Sequence, residues 1–293
     1  MRHAVLGAGG IGGLVAAALA RQGHEVTLLV RPAALATHPR LLRVESAVLG
    51  NFEAAVLLAA HLDFEPDLLW ITVKATQLEA ALPLAPPGVL STSLVIPLLN
   101  GVDHMDRLRG LYGDRVLGGV IRAESERLAP GVYRQPTPFA NLEVSGPGQL
   151  AGRAASIVAE VAATGLGCRL HEDEVTMLWG KLVGLAAMAL STTALEQPVG
   201  AVREDREGRR LLQGVVAEAV LVARAEGAGI ELATVMAFLE GAPSEMRTSM
   251  QKDRAAGRPL ELDAIAGPIL RGGGSHGIPT PTTAELVARL DGL

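Results

Sequence analysis

The sequence predicts an α/β fold, a parallel sheet wound with helices, followed by a second, all-α domain. Three observations predict it. Residues 4–31 place a glycine-rich turn between an apolar run and a small-residue helix, with a second apolar run after it. Strand-length apolar runs then alternate with helical stretches through the first half of the chain. From Val175 onward the chain carries long Ala-, Leu-, Val- and Met-rich stretches with few strand signals.

Ala4 to Leu6 reads as the first strand and runs into Gly7, Ala8, Gly9, Gly10, Ile11 and Gly12, a Gly-x-Gly-x-x-Gly turn. The first glycine permits the tight turn, the second lets backbone approach a pyrophosphate, and the third lets helix and strand pack closely. A helix follows to about Gln22, where Gly23 is placed to end it, and His24 to Val30 reads as the second strand. Free N–H groups and the helix dipole at that turn attract phosphate. This is the Rossmann arrangement for a dinucleotide. Arg31 stands where a dinucleotide fold that uses NAD places an acid, and no carboxylate sits beside it. A guanidinium grips a 2′-phosphate through paired charge-assisted hydrogen bonds, so the sequence predicts NADP(H). The plainer reading of Arg31 is a solvated charge at a strand end.

Asp67–Val73 is a continuous apolar run, as a buried parallel strand requires, and Leu94–Leu99 is another, with Pro97 pointing to an edge or a strand end. Val116–Ile121 is a third. Tyr133–Pro138 and Asn141–Val144 are expected to close the sheet as antiparallel strands, and 151–164 to form a helix. Helices are expected over Glu174–Ala194 and Gly208–Glu226. Gly227 and Gly229 mark one helix end and Gly272–Gly274 another. Residues 277–283 read as a proline-rich turn before a final helix. The expected division is 1–168 for the dinucleotide domain and 169–293 for the helical one, with substrate in the cleft between them.

Composition narrows the function. The 293 residues are 49% hydrophobic but only 3% aromatic, so Ala, Leu and Val must fill the core. A net charge of −5 gives no electrostatic footprint for nucleic acid. Arg203–Arg210, the densest charge cluster, interleaves acids and reads as a solvated helix start. The single cysteine, Cys168, excludes an intramolecular disulfide and reads as a small core or boundary residue rather than a nucleophile. The scattered histidines give no metal-site spacing. Residues 4–20 are uncharged like a signal sequence, but the five glycines between Gly7 and Gly13 argue against export, and no later run reads as a membrane span. The expected place is the cytoplasm. The Ala-rich helices fit a homodimer interface as well as a monomer core.

Three polar residues stand where chemistry is done. Lys74 follows the strand Trp-Ile-Thr-Val, and Asn100 with Gly101 follows Leu-Val-Ile-Pro-Leu-Leu, so all emerge at the carboxyl ends of parallel strands. A solvated lysine and a turn-forming Asn-Gly are their ordinary readings. Lys181 lies in LWGKLVGLAAMAL, with an uncharged stretch after it. An ammonium on an apolar helix is costly to bury. It either snorkels at the helix edge or is desolvated for proton transfer.

The order of the glycine turn with Arg31, VKATQ, LLNG, LWGKL, SMQKDRAAGRPLELD (Ser249 to Asp263) and HGIPTP resembles the ketopantoate reductases along nearly the whole chain. The resemblance implies a helical domain like the C-terminal domain of 6-phosphogluconate dehydrogenase. It also implies NADPH-dependent reduction of 2-dehydropantoate, a 2-oxo acid, to (R)-pantoate in pantothenate biosynthesis. By resemblance Lys181 is the proton donor, and Lys74, Asn100 and Glu261 reach the cofactor. Asn100, Lys181 and Ser249 touch the substrate on the same ground. Read without the resemblance, Glu261 is an ordinary surface carboxylate. The chain departs from the family at Leu185, Ala189 and Met246, where the family carries asparagines that bind the substrate. Two alternatives therefore stay open, reduction of a different 2-oxo acid and a non-catalytic NADP(H) sensor.

Overall fold

The computed structural model describes residues 1–146 and 148–291. Residues 292 and 293 of the expected second domain lie outside the described residues. The chain divides into two compact units, Met1–Leu99 with His104–Glu174, and Asn100–Asp103 with Val175–Leu293. The expected boundary at 168 runs through a strand of the first unit.

The first unit begins with β1 (Arg2–Leu6), α1 (Gly10–Arg21) and β2 (Glu25–Leu29), then β3 (Leu41–Ser46), β4 (Gly50–Ala55) and β5 (Leu57–Ala59). It continues through β6 (Leu68–Ile71), the short α2 (Leu78–Ala81), β7 (Leu94–Pro97) and α3 (His104–Tyr112). It closes with β8 (Gly118–Arg122), β9 (Glu126–Ala129), β10 (Val132–Gln135), β11 (Asn141–Ser145), α4 (Ala151–Ala163) and β12 (Gly167–Leu170). Five strands form an all-parallel sheet in the order β5-β2-β1-β6-β7. Pro97 sits in its last strand, where a missing N–H costs least. The register sets Leu6 opposite both Leu29 and Ile71, so the strand ends that carry the glycine turn, Arg31 and Lys74 lie side by side.

Two expectations for the later strands need correction. Val116–Ile121 does not join the parallel sheet as a full strand. A single parallel bridge, Val95 to Val116, leads to a three-stranded sheet in which β8 runs antiparallel to β11 and β11 parallel to β12. Tyr133–Pro138 does not close the sheet either. β10 pairs in parallel with β3 in a separate four-stranded sheet, β4-β3-β10-β9. That sheet packs on α1, opposite the parallel strands, so α1 is buried without a break from Gly12 to Leu19. A helix covered on every side needs small residues all round. At Gly13 an added Cβ would lie 2.1 Å from the Tyr133 ring.

His3 in β1 is 1% exposed, and its Nδ1 accepts from Trp70 Nε1 at 3.4 Å, a geometry open only to the neutral ring. Burial, with the nearby charges of His24 and the N-terminal ammonium, holds its pKa down to about 3; Asp67 opposes this. In the unfolded chain the ring takes a proton below its ordinary 6.5. Stability is therefore complete above that value and falls as pH drops toward 3, at up to ~1.4 kcal/mol per pH unit. Urea unfolding at neutral and mildly acidic pH checks this. His3→Gln is expected to flatten the acid slope, and an unchanged slope would assign it to other groups.

The second unit holds α5 (Glu174–Leu195), α6 (Val199–Glu204), α7 (Arg206–Ala225), α8 (Leu232–Glu240), α9 (Ser249–Ala255), α10 (Leu262–His276) and α11 (Pro281–Asp291). α7 is its hub and packs on α6, α8, α10 and α11. Asp205 caps α7 by accepting the Gly208 N–H at 2.7 Å. Glu218, buried in the middle of α7, caps α11 from outside it. Its carboxylate accepts the N–H groups of Thr282 and Thr283 at 2.6 and 2.8 Å and the Thr283 hydroxyl at 2.7 Å. By length and composition α5 could cross a bilayer, but 72% of its most apolar window is buried inside the structure. The helix end expected at Gly272–Gly274 is absent. α10 runs on to His276 and is capped by left-handed Gly277. Gly272 and Gly273 serve close packing instead, since added Cβ atoms would lie 2.5 Å from Val222 and 2.8 Å from the Ile278 carbonyl.

Candidate functional site

The glycine turn is fixed by its neighbours. Gly7 has φ +115°, and a Cβ there would lie 2.8 Å from Val73 Cγ1. At Gly12 a Cβ would lie 1.9 Å from the Gly7 carbonyl oxygen and 2.4 Å from Thr72 Oγ1. The Thr72 N–H donates to the Leu6 carbonyl at 2.9 Å, and its hydroxyl stands 3.0 Å from the carbonyl oxygens of Leu6 and Gly7. A loop distant in sequence closes the other side. Ser125 Oγ donates to the Gly10 carbonyl at 2.9 Å, and Arg127 Nη1 donates to the Ala8 carbonyl at 3.3 Å.

Gly9 differs from these. It is the N-cap of α1, and a Cβ built on it meets nothing within 4 Å. The first turn of α1 carries no acid, and its N–H groups have no acceptor within the helix. This is a cradle that an anion can enter and that a side chain would fill, so the residues present fit a dinucleotide pyrophosphate. Arg31 is exposed just past β2, before the short turn Pro32–Ala34, and makes no ion pair among the described residues. Lys74 is half-buried three residues beyond β6.

In the second unit, the peptide Asn100–Asp103 belongs with α10. Asn100 Nδ2 donates to Glu261 Oε2 at 3.2 Å, Gly101 has φ +85° with room for no more than a hydrogen against the Ala264 carbonyl, and Asp103 pairs with Arg271. Glu261 is 6% exposed at the start of α10, so it is not the surface carboxylate of its ordinary reading. A buried carboxylate needs polar partners, and the Asn100 amide is one. Lys181 is half-buried on α5, and Leu185 lies one turn further on; Ala189 is buried and Met246 half-buried. Ser249 is exposed at the start of α9. The Thr192 hydroxyl donates to the Met188 carbonyl at 2.7 Å, so Thr248 is the donor in the 3.2 Å Thr248–Thr192 contact that ties α9 to α5. Burial pushes the Cys168 thiol up to about 11, against any role as a nucleophile.

The structure thus brings together Gly7–Gly12, Thr72, Ser125 and Arg127 at the start of β9 in one unit, and Asn100 with Glu261 in the other. Lys181 and Ser249 stand on two further helices of the second unit. Sequence reasoning missed Thr72, Ser125 and Arg127. Thr72, two residues before Lys74 at a strand end, could have been found from that spacing. Ser125 and Arg127 follow no motif and reach the turn only through the chain's long-range path.

Comparison with known proteins bears on the fold and the family. The family described as "Ketopantoate reductase PanE/ApbA" matches residues 3–144, and "Ketopantoate reductase PanE/ApbA C terminal" matches 174–293. The 2-dehydropantoate 2-reductase of Caulobacter vibrioides is 33% identical, over 98% of this chain and 97% of that one. The crystal structure of 2-dehydropantoate 2-reductase from Geobacter metallireducens superposes with a TM-score of 0.91 at 28% identity, covering 99% of both chains. D-mandelate dehydrogenase, solved with NADH and anilino(oxo)acetate, shares the fold with a TM-score of 0.90 at 22% identity, covering 100% of this chain and 98% of that one.

Proposed function

The chain belongs to the ketopantoate reductase family of oxidoreductases, and we propose that it catalyses NADPH-dependent reduction of 2-dehydropantoate to (R)-pantoate, a step of pantothenate biosynthesis, in the cytoplasm. The observation that carries the reading is Lys181, the one ionisable side chain between Met177 and Thr193 of the largely buried, apolar α5. The dinucleotide supplies the hydride that reaches the keto carbon. Lys181 holds its ammonium against the keto oxygen and gives up a proton as negative charge develops there, where apolar surroundings strengthen the attraction. Buried Glu261 orients the Asn100 amide, which reaches the nicotinamide end of the cofactor and the substrate. Ser249 adds a hydroxyl for the substrate, and Lys74 a cation for the cofactor. Gly7 to Gly12 take the pyrophosphate.

Steady-state loss of nicotinamide absorbance with 2-dehydropantoate tests the reaction. The expected kcat/KM is about 10⁴ M⁻¹s⁻¹ or above, and no oxidation with this or any other 2-oxo acid would overturn the proposal in favour of an NADP(H) sensor. Arg31 governs the choice of cofactor. Arg31→Ala is expected to raise the NADPH Kd at least ~10-fold, the worth of one charge-assisted contact, while the NADH Kd stays within about twofold. Equal wild-type affinity for both reduced cofactors would remove Arg31 from that role.

A further inference from the structure

The stretch of α5 on either side of Lys181 is apolar. Between Met177 and Thr193, the residues of α5 that are not buried are Gly180, Lys181 and Leu185. A Cβ at Gly180 would meet nothing within 4 Å, so the helix backbone is open there. Gly184 lies one turn from Gly180 and three residues from Lys181, and a Cβ on it would stand 3.3 Å from Phe238 Cε1. Phe238, on α8, is 53% exposed. Side chains three and four apart on a helix are neighbours, about 5–6 Å between Cβ atoms. Lys181 is therefore flanked by Leu185 along the helix and by an open aromatic ring across it.

A 2-oxo acid whose keto oxygen meets the Lys181 ammonium extends its side chain over a span of that size. This stretch of α5 with Phe238 offers it a leucine, a phenyl ring and bare helix, while the amide of Asn100 and the hydroxyl of Ser249 stand on other elements. A site built to hydrogen-bond a substrate hydroxyl rejects the analogue lacking it by about 10⁴ or more, whereas an apolar pocket separates such a pair by about 10² at most. We infer that this same site also reduces 2-oxo acids whose side chain is apolar and branched, to the corresponding 2-hydroxy acids. The inference rests on the proposed role of Lys181. The chemistry balances as before, with hydride to C2 and a proton from Lys181 to the oxygen.

The test compares 2-dehydropantoate with 3,3-dimethyl-2-oxobutanoate, which differs from it by the absence of one hydroxyl, using NADPH and the intact protein. The two kcat/KM values are expected within about tenfold of each other, inside the range of an apolar pocket. Leu185→Asn is expected to shift the ratio toward 2-dehydropantoate by at least ~10-fold, the worth of one hydrogen bond to the hydroxyl. Leu185→Met, apolar and of similar volume, leaves the ratio within about threefold and separates chemistry from fold. A wild-type preference of about 10⁴ for 2-dehydropantoate, or a ratio unmoved by Leu185→Asn, overturns the inference and leaves the proposed function standing. Turnover of neither acid overturns both.

Discussion

Lys181→Ala is expected to lower kcat by about 10²–10⁴-fold, the usual contribution of a positioned general acid, and to leave the NADPH Kd within about twofold. The split follows from where Lys181 stands. It is on α5 of the second unit, while the glycine turn is in the first. Alanine is the best helix former and takes a half-buried position without adding a buried polar group, so α5 keeps its packing. The loss should fall on kcat and kcat/KM together, because in the proposed role the ammonium acts on charge that develops only in the transition state. Arginine keeps the positive charge but holds its proton too tightly to serve as an acid near neutral pH, so Lys181→Arg is expected to recover little turnover. Steady-state kinetics with NADPH titration checks both variants. A kcat within a few-fold of wild type would remove Lys181 from proton transfer.

Alanine at Gly9 and at Gly12 is expected to fail in opposite ways. At Gly9 the new methyl meets no protein atom within 4 Å and the backbone has φ −78°, so folding stability should change by no more than about 0.5 kcal/mol. The methyl would fill the space proposed for the pyrophosphate, and the NADPH Kd should then rise at least ~10-fold, a loss of about 1.4 kcal/mol or more. At Gly12 the methyl would lie 1.9 Å from the Gly7 carbonyl oxygen, which is backbone and cannot swing aside. The strand, turn and helix must then separate, and overpacking of this kind costs about 1–3 kcal/mol or more. Thermal melts with NADPH titration tell the two apart. A Gly9→Ala protein that binds NADPH like wild type would sink the proposed place of the pyrophosphate.

β1, β2, β6 and β7 of the parallel sheet were legible because they are largely apolar runs and the turn after β1 must be glycine, whereas the short edge strand β5 was not. Gly7 and Gly12 announce a steric need that any such fold shares. The β3–β4 hairpin was not legible, since Leu41–Ala55 is part polar and pairs through β10, far along the chain. The same pairing drew Val132–Gln135 out of the expected place. Gly272–Gly274 misled for a related reason. Glycine marks both a helix end and a close helix contact, and only the neighbouring Val222 decides between them. In the candidate site, Lys181 stood out as one charge on an apolar helix. Glu261 did not, because its burial depends on Asn100 and on its place before α10. Ser125 and Arg127 were illegible, since their side chains donate to backbone carbonyls of the glycine turn, which any donor brought there by the fold could reach.

In the proposed reaction a hydride passes from NADPH to the keto carbon of 2-dehydropantoate, with Lys181 as the acid. The most direct measurement uses NADPH carrying deuterium at the transferable position of the nicotinamide and follows the label into product by mass spectrometry and NMR. Pantoate with one deuterium at C2 is expected for each NADPH oxidised, with label transfer slowed at least ~10²-fold in Lys181→Ala. NADPH bound tightly with no labelled hydroxy acid formed, or label transfer undiminished without the lysine, would contradict it.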